Sequence, residues 1–266
     1  MNLAVIIPAA GSSTRFSQSL AVPRSKLDED LGGRPVLQRT VELFHQDDRV
    51  STIIVAGPHE AQAFAEFKLR HADRLGLLGV KICQGGKTHR YETVAAALAH
   101  VPAEATHIAV HDAARPCTPA DLIERVFKAA ERFDAVIPAV AVGDTLKRVE
   151  DFEAGAGARD AVADILGVAD PNAGTQRRVT ATLDRAGLVA VQTPQVFKAD
   201  LLRRAYAQKD LSSTDDAGLV ERLGETVVVV EGDARNLKVT LPGDVTLARM
   251  ILGFKDPEGR AAHKRF

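Results

Sequence analysis

Tryptophan is missing from these 266 residues, and two tyrosines and ten phenylalanines make up the aromatics. That scarcity argues against a base-stacking platform for single-stranded nucleic acid. The two cysteines, Cys83 and Cys117, are too few for a disulfide framework or a zinc cluster and read as structural. An excess of one charge is missing too. The 34 Lys and Arg against 35 Asp and Glu leave a formal net charge of −1, so bulk charge does not recruit nucleic acid. No apolar run is long enough to cross a bilayer, so no membrane partner is expected. The first residues carry no basic segment and enter a strand pattern at once; no signal peptide is expected, and the default location is cytoplasmic. Covalent catalysis has no candidate either, because there is no Gly-x-Ser-x-Gly elbow and neither cysteine sits in a recognisable catalytic signature.

What the chain does have is alternation. Leu3–Ile7, Thr52–Ala56, Val80–Cys83, His107–Val110, Ala135–Val142 and Thr226–Val230 read as buried strands. Between them lie helical patterns: one opened by Pro35 with Leu37, Val41 and Phe44 on a face, then about His59–Leu75, and Glu92–His100. A further helix has Thr118 as N-cap, Pro119 at its first position and Leu122, Val126 and Ala130 as its apolar face. Such alternation predicts an α/β fold, a doubly wound, mostly parallel sheet with helices on both faces. No linker divides it, so residues 1–253 are expected to form one domain and 254–266 a polar, basic tail. Residues 143–187 lack core apolar density and read as an arm or an inserted loop within that domain.

Ligands of such sheets sit beyond the carboxyl ends of the strands. Two loops share that address. The first is Pro8-Ala9-Ala10-Gly11-Ser12-Ser13-Thr14-Arg15, where small residues let backbone N–H groups approach an anion and an arginine follows. It suits a nucleoside triphosphate, although ordinary strand–loop junctions of α/β proteins share its composition. The second is His111-Asp112-Ala113-Ala114-Arg115-Pro116. Asp112 there suits Mg²⁺ bound through one carboxylate plus phosphate oxygens, or a structural pair with Arg115. His111 reads as a packing residue. Gly85-Gly86-Lys87-Thr88 carries the Gly-Lys-Thr of a P-loop, but Lys81 stands where its first glycine belongs, so it reads as a glycine turn against a nucleoside. Thr93 follows as a hydrogen-bonding group or a cap. Thr214, with Gly224 beyond the far end, would frame one more helix.

Taken in order, these motifs resemble the 2-C-methyl-D-erythritol 4-phosphate cytidylyltransferases of the non-mevalonate isoprenoid pathway. The resemblance runs through Pro8-Ala9-Ala10-Gly11 with Arg15, Pro23 with Lys26, Gly85-Gly86 with Arg90, Val110–Pro116, Asp144-Thr145 with Lys147, and Asp184-Arg185. It continues through Gln192-Thr193-Pro194-Gln195 with Phe197, Thr214–Ala217 with Glu221, and Asn236–Thr240. It implies a Rossmann-like nucleotidyltransferase with a projecting β-arm, which moves CMP from CTP to a polyol phosphate with Mg²⁺ and releases pyrophosphate. Ala9, Ala10, Gly11 and Ser13 fall on the family's triphosphate loop. Arg15, Lys26 and Lys238 fall on its catalytic cations, with Lys238 also close to the acceptor. Gly86, Thr93 and Ala113 fall on its cytidine positions and Asp112 on its metal position. Arg115, Thr145, Arg185 and Thr193 fall on positions for methylerythritol phosphate, and the arm implies a homodimer in which Thr145 and Arg185 serve the neighbour's site. Three features depart from the family: Ser13 replaces a second glycine, Pro23 and Lys26 are separated so that Arg24 rivals the lysine, and the arm is long between about 151 and 178. A same-fold enzyme using ribitol 5-phosphate and a non-catalytic nucleotide sensor remain the alternatives.

Overall fold

The computed structural model describes residues 1–20, 22, 24–152 and 176–254. Expectations for the tail from 255 onward, for Pro23 and for the middle of the arm lie outside those residues. Contacts divide the chain into two compact units, one of residues up to Val140 and from Val191 onward, the other Ala141–Ala190.

The larger unit is built on a sheet whose main path crosses seven strands: β1 (Leu3–Pro8), β2 (Val50–Gly57), β3 (Lys81–Gln84), β4 (His107–Val110), β5 (Ala135–Ala141), β9 (Gln195–Lys198) and β10 (Val228–Glu231). Their order is β10-β5-β9-β4-β1-β2-β3. All neighbours pair in parallel except β9, which runs antiparallel between β4 and β5. Helices α2 (Val36–His45), α3 (Ala61–Gly76), α4 (Arg90–Leu98) and α5 (Ala120–Ala130) connect the parallel strands. Strand β1 shows why the sheet is wound on both sides. Leu3, Val5 and Ile7 join one apolar cluster with Leu37, Phe44, Val126 and Phe127, while Ala4 and Ile6 join another with Val94, Ala97 and Leu202. Period-2 alternation in a strand buried on both faces produces those two cores. The expected α/β fold and mostly parallel sheet are therefore present.

Two caps differ from expectation. The N-cap of α5 is Pro119, because the Thr118 hydroxyl is drawn away to Asn236 Oδ1 at 2.8 Å. The helix expected from Thr214 is α7 (Ala217–Glu221), capped by Asp216, with Gly224 at φ +77° beyond it; α6 (Ala199–Tyr206) precedes it and α8 (Pro242–Ile251) follows. A short helix α1 (Thr14–Gln18), which the apolar pattern does not announce, begins straight after the first loop.

In the smaller unit, β6 (Leu146–Phe152) and β7 (Gln176–Leu183) form an antiparallel hairpin, with Leu146 opposite Leu183. Strand β8 (Val189–Val191) follows.

Candidate nucleotide and acceptor site

The first loop leaves β1 pinned by an Ala9 N–H to Ala56 carbonyl bond of 2.7 Å. It then lines a cavity of about 340 Å³ with Ala9, Ala10, Gly11, Ser12 and Ser13. Ser13 adopts φ 53°, ψ 30° and is the only non-glycine with positive φ among the described residues. A serine thus stands in a backbone conformation that favours glycine.

The opposite wall is the Gly85–Gly86 turn. A Cβ on Gly86 would lie 2.1 Å from that of Glu92 and 2.7 Å from the backbone nitrogen of Thr93, so only glycine fits against α4. The Thr93 hydroxyl accepts from the Gly86 N–H at 3.2 Å. It therefore holds the turn as well as lining the cavity. Ala113 lines the floor, its carbonyl fixed by the Thr40 hydroxyl at 2.9 Å.

At the cavity's far side lies a cluster of charge. Asp112 is 8 % exposed. Its Oδ1 lies 3.4 Å from Arg90 Nε, and its Oδ2 lies 3.3 Å from Arg115 Nε and 2.9 Å from Lys238 Nζ. Burial alone would raise its pKa; the Arg90, Lys238 and Arg115 cations overcome that and hold the carboxyl well below the usual range. Arg90 reaches onward to the fully buried Asp216 at 2.8 Å, and Tyr206 donates to the other oxygen of Asp216 at 2.5 Å. Arg90, Asp216 and Tyr206 carry no assigned role in the sequence reading. Arg90 follows the Gly85-Gly86 motif and Asp216 lies within Thr214–Ala217, but neither segment shows that the two residues pair.

Lys26 lies on a 3₁₀ turn (Lys26–Asp28), lines the same cavity and donates to the Val239 carbonyl at 2.7 Å. Burial, then the neighbouring Lys238 and Arg15 charges, bring its pKa down to about 8. Arg24, its rival in sequence, spends its guanidinium on Glu29 and does not line the cavity. Arg15 sits exposed on α1, outside the lining but near enough for its charge to act on Lys26.

A second cavity of about 420 Å³ shares Arg90, Asp112 and Lys238 with the first and adds Arg115, Gln192, Thr193, Gln195 and Asp215. The Thr193 hydroxyl accepts from the Asp112 N–H at 3.1 Å, and Arg115 donates to the Asn236 carbonyl at 2.6 Å. His111 is fully buried, edge-on to Phe44 at 5.0 Å, and burial pushes its pKa down to about 4. It is a neutral packing residue at neutral pH. Twelve expected site residues line these two cavities: Ala9, Ala10, Gly11, Ser13, Lys26, Gly86, Thr93, Asp112, Ala113 and Lys238 in the first, and Arg115 and Thr193 in the second alone. Thr145 and Arg185 belong to the smaller unit, where Arg185 donates to the Gly143 carbonyl.

The donor set bears on Mg²⁺. Asp112 is the one carboxylate among the described residues lining the first cavity, and no group of three or more His, Cys, Asp or Glu suited to a metal occurs among the described residues. A protein-built cage is therefore lacking, whereas an ionised Asp112 fits an ion held by one carboxylate and phosphate oxygens.

The chain is similar to known proteins of one family. A family model described as 2-C-methyl-D-erythritol 4-phosphate cytidylyltransferase matches residues 3–161 and 152–254. The enzyme of that name from Rhodococcus jostii is 39% identical over 248 residues, covering 93% of each chain. That from Symbiobacterium thermophilum is also 39% identical, over 94% of this chain and 92% of its own. Among solved structures, a 4-diphosphocytidyl-2C-methyl-D-erythritol synthase is 31% identical with a TM-score of 0.68 over 94% of this chain and 98% of its own. The Thermus thermophilus cytidylyltransferase is 30% identical with a TM-score of 0.65 over the same shares.

Proposed function

The chain belongs to the 2-C-methyl-D-erythritol 4-phosphate cytidylyltransferase family, and we propose that it moves CMP from CTP to 2-C-methyl-D-erythritol 4-phosphate and releases pyrophosphate. The observation that carries the reading is the sharing of Arg90, Asp112 and Lys238 by two adjoining cavities. A nucleotide in one and a phosphorylated acceptor in the other meet at that boundary.

The chemistry needs no general base, since the acceptor phosphate arrives ionised. One of its oxygens attacks the α-phosphorus in line; a new P–O bond forms, the bond to the bridging oxygen breaks, and pyrophosphate leaves with the electron pair. The protein's task is positioning and compensation of negative charge. The loop Ala9–Ser13 offers backbone N–H groups to the triphosphate. Lys26, Arg15 and Lys238 neutralise charge developing around the α-phosphorus, and Gly86, Thr93 and Ala113 hold the nucleoside. Arg115 and Thr193 orient the acceptor. Asp112 would hold Mg²⁺ together with phosphate oxygens, and the ion would supply further neutralisation of the triphosphate.

The proposal extends to assembly. A two-stranded hairpin is marginal by itself, and β6–β7 exposes Val149 at 41 % and Val179 at 56 %. These features support a homodimer in which the arm is covered by a second copy, with Thr145 and Arg185 completing that copy's acceptor site. A cytoplasmic setting suits both substrates.

The test is pyrophosphate release by purified protein with CTP, Mg²⁺ and either methylerythritol phosphate or ribitol 5-phosphate. Release is expected fastest with methylerythritol phosphate. Faster release with ribitol phosphate reassigns the acceptor, and none with either acceptor removes the enzymatic reading.

A further inference from the structure

The 3₁₀ turn that carries Lys26 is three residues long. Its Leu27 lines both the nucleotide cavity and an adjoining cavity of about 320 Å³, which Ser25, Phe67 and Arg70 also help to line and which shares Ala9–Ser12, Gly86 and Lys87 with the first. Its apolar anchor is the single side chain of Leu27, 5 % exposed. Its backbone donors are used close by: the Leu27 N–H to Ser25 Oγ at 3.2 Å, the Asp28 N–H to the Ser25 carbonyl at 3.1 Å and the Glu29 N–H to the Lys26 carbonyl at 3.4 Å, with the Val36 N–H on the Glu29 carbonyl at 2.9 Å. A turn that borders open volume is fixed only in part by packing, so contacts at its far end matter to its direction.

The far end of the turn meets α3 through charged contacts. Asp28 Oδ1 lies 2.8 Å from His71 Nε2, within ion-pair distance although neither atom makes a hydrogen bond, and Oδ2 lies 3.2 Å from Arg70 Nε. His71 is 3 % exposed, with its ring against Phe67 at 4.8 Å between centroids. Arg70, at 44 % side-chain exposure, is screened by water and contributes little alone. The buried imidazole is the rigid member of the pair. It lines neither the nucleotide cavity nor the acceptor cavity, so any influence on the reaction passes through the turn.

We propose that His71 is a positioning residue for Lys26: by holding Asp28 it fixes the turn that aims the lysine ammonium into the nucleotide cavity. The proposal rests on the cytidylyltransferase reading only for what the lysine meets there.

Two measurements on the full chain decide it. His71→Phe keeps an aromatic ring against Phe67, and Asp28→Asn cuts the same link from the more exposed side, so one survives if the other misfolds. Hydrogen exchange should speed by about tenfold at the amides of residues 27–29 in both variants, with the central strands unchanged. Turnover should fall about tenfold in kcat/KM for CTP. In a Lys26→Ala background the same substitutions should add no further loss, because the route they cut is already absent. Unchanged exchange at the turn overturns the proposal, as does a full additional loss in the Lys26→Ala background, which would assign His71 a general structural role. Absence of turnover in the unaltered protein defeats the cytidylyltransferase reading alone; the exchange result still decides whether His71 holds the turn.

Discussion

The two cavities that meet at Asp112 are made of different material. Apart from Lys26, Leu27, Lys87, His89 and the charged groups it shares with its neighbour, the nucleotide cavity is walled by backbone and small side chains, Ala9–Ser13, Gly86, Thr93 and Ala113 among them. The acceptor cavity is walled by long polar and charged side chains, Arg90, Arg115, Gln192, Gln195 and Asp215 among them, tied into a network. A backbone wall keeps its shape whatever the charge inside it, whereas an ion-paired wall depends on every member remaining paired. Substitutions should therefore act locally in the first cavity and collectively in the second.

The largest effect should come from removing the group common to both. Asp112→Ala leaves Arg90, Arg115 and Lys238 without their shared counter-charge. It should abolish measurable turnover and lower stability by on the order of 3 kcal/mol, read by pyrophosphate release and by thermal melting. A variant that melts like the unaltered protein would mean that the cluster is not held by mutual attraction.

Lys26→Ala should leave the fold intact and lower kcat by about 10²–10³. The lysine also makes binding pH-dependent. Its folded pKa of about 8 lies below the ordinary value of 10.5, so the fold disfavours its charged form. That penalty is absent above the ordinary value and develops as pH falls toward about 8, where the folded protein's lysine finally takes its proton. A bound triphosphate reverses the preference and draws the proton on. CTP binding should thus take up protons near pH 8–9 and weaken as pH rises through that window. Calorimetry in two buffers of different ionisation enthalpy checks this; equal heats in both would remove Lys26 from the triphosphate.

A finer split separates the cavities. Thr93→Val should raise KM for CTP about tenfold with the acceptor KM unchanged, because it frees the Gly86 turn alone. Arg115→Ala should raise the acceptor KM by at least about tenfold and disturb Asp112 as well. If Thr93→Val altered both constants and Arg115→Ala only one, the contrast between local and collective walls would be inverted.

The smallest effect should be Ser13→Gly. Relief of the left-handed conformation should stabilise the protein by up to about 1 kcal/mol, seen as a Tm rise of a few degrees, with the loop's backbone donors intact. A lower Tm would show that the serine side chain supports the loop.

The same contrast explains what could be read in advance. The nucleotide cavity is assembled from short contiguous stretches just beyond strand ends, so Ala9–Ser13, Gly86 and Ala113 stood out as a set. The acceptor cavity draws on 112–115, 192–195, 214–221 and 238. These segments were picked out through the family resemblance, and nothing in any one of them shows that they meet. Arg90 and Asp216 stood inside quoted motifs but received no role, because their partnership spans 126 positions along the chain and leaves no periodic trace. Strand β9 was missed for a related reason. Its apolar content is Val196 and Phe197 alone, between Gln195 and Lys198, and the strand is defined by two neighbours, β4 and β5, rather than by its own pattern.

The order of apolar segments was enough to determine the winding of the sheet, its two cores and the strand ends where a ligand belongs, because alternation and burial are properties of adjacent residues. Which carboxylate three cations share, which of Arg24 and Lys26 enters the cavity, and what grips the turn from α3 were decided only on folding. Those choices depend on distances between residues far apart in the chain, and on burial, which makes each unpaired charge costly enough that one arrangement prevails.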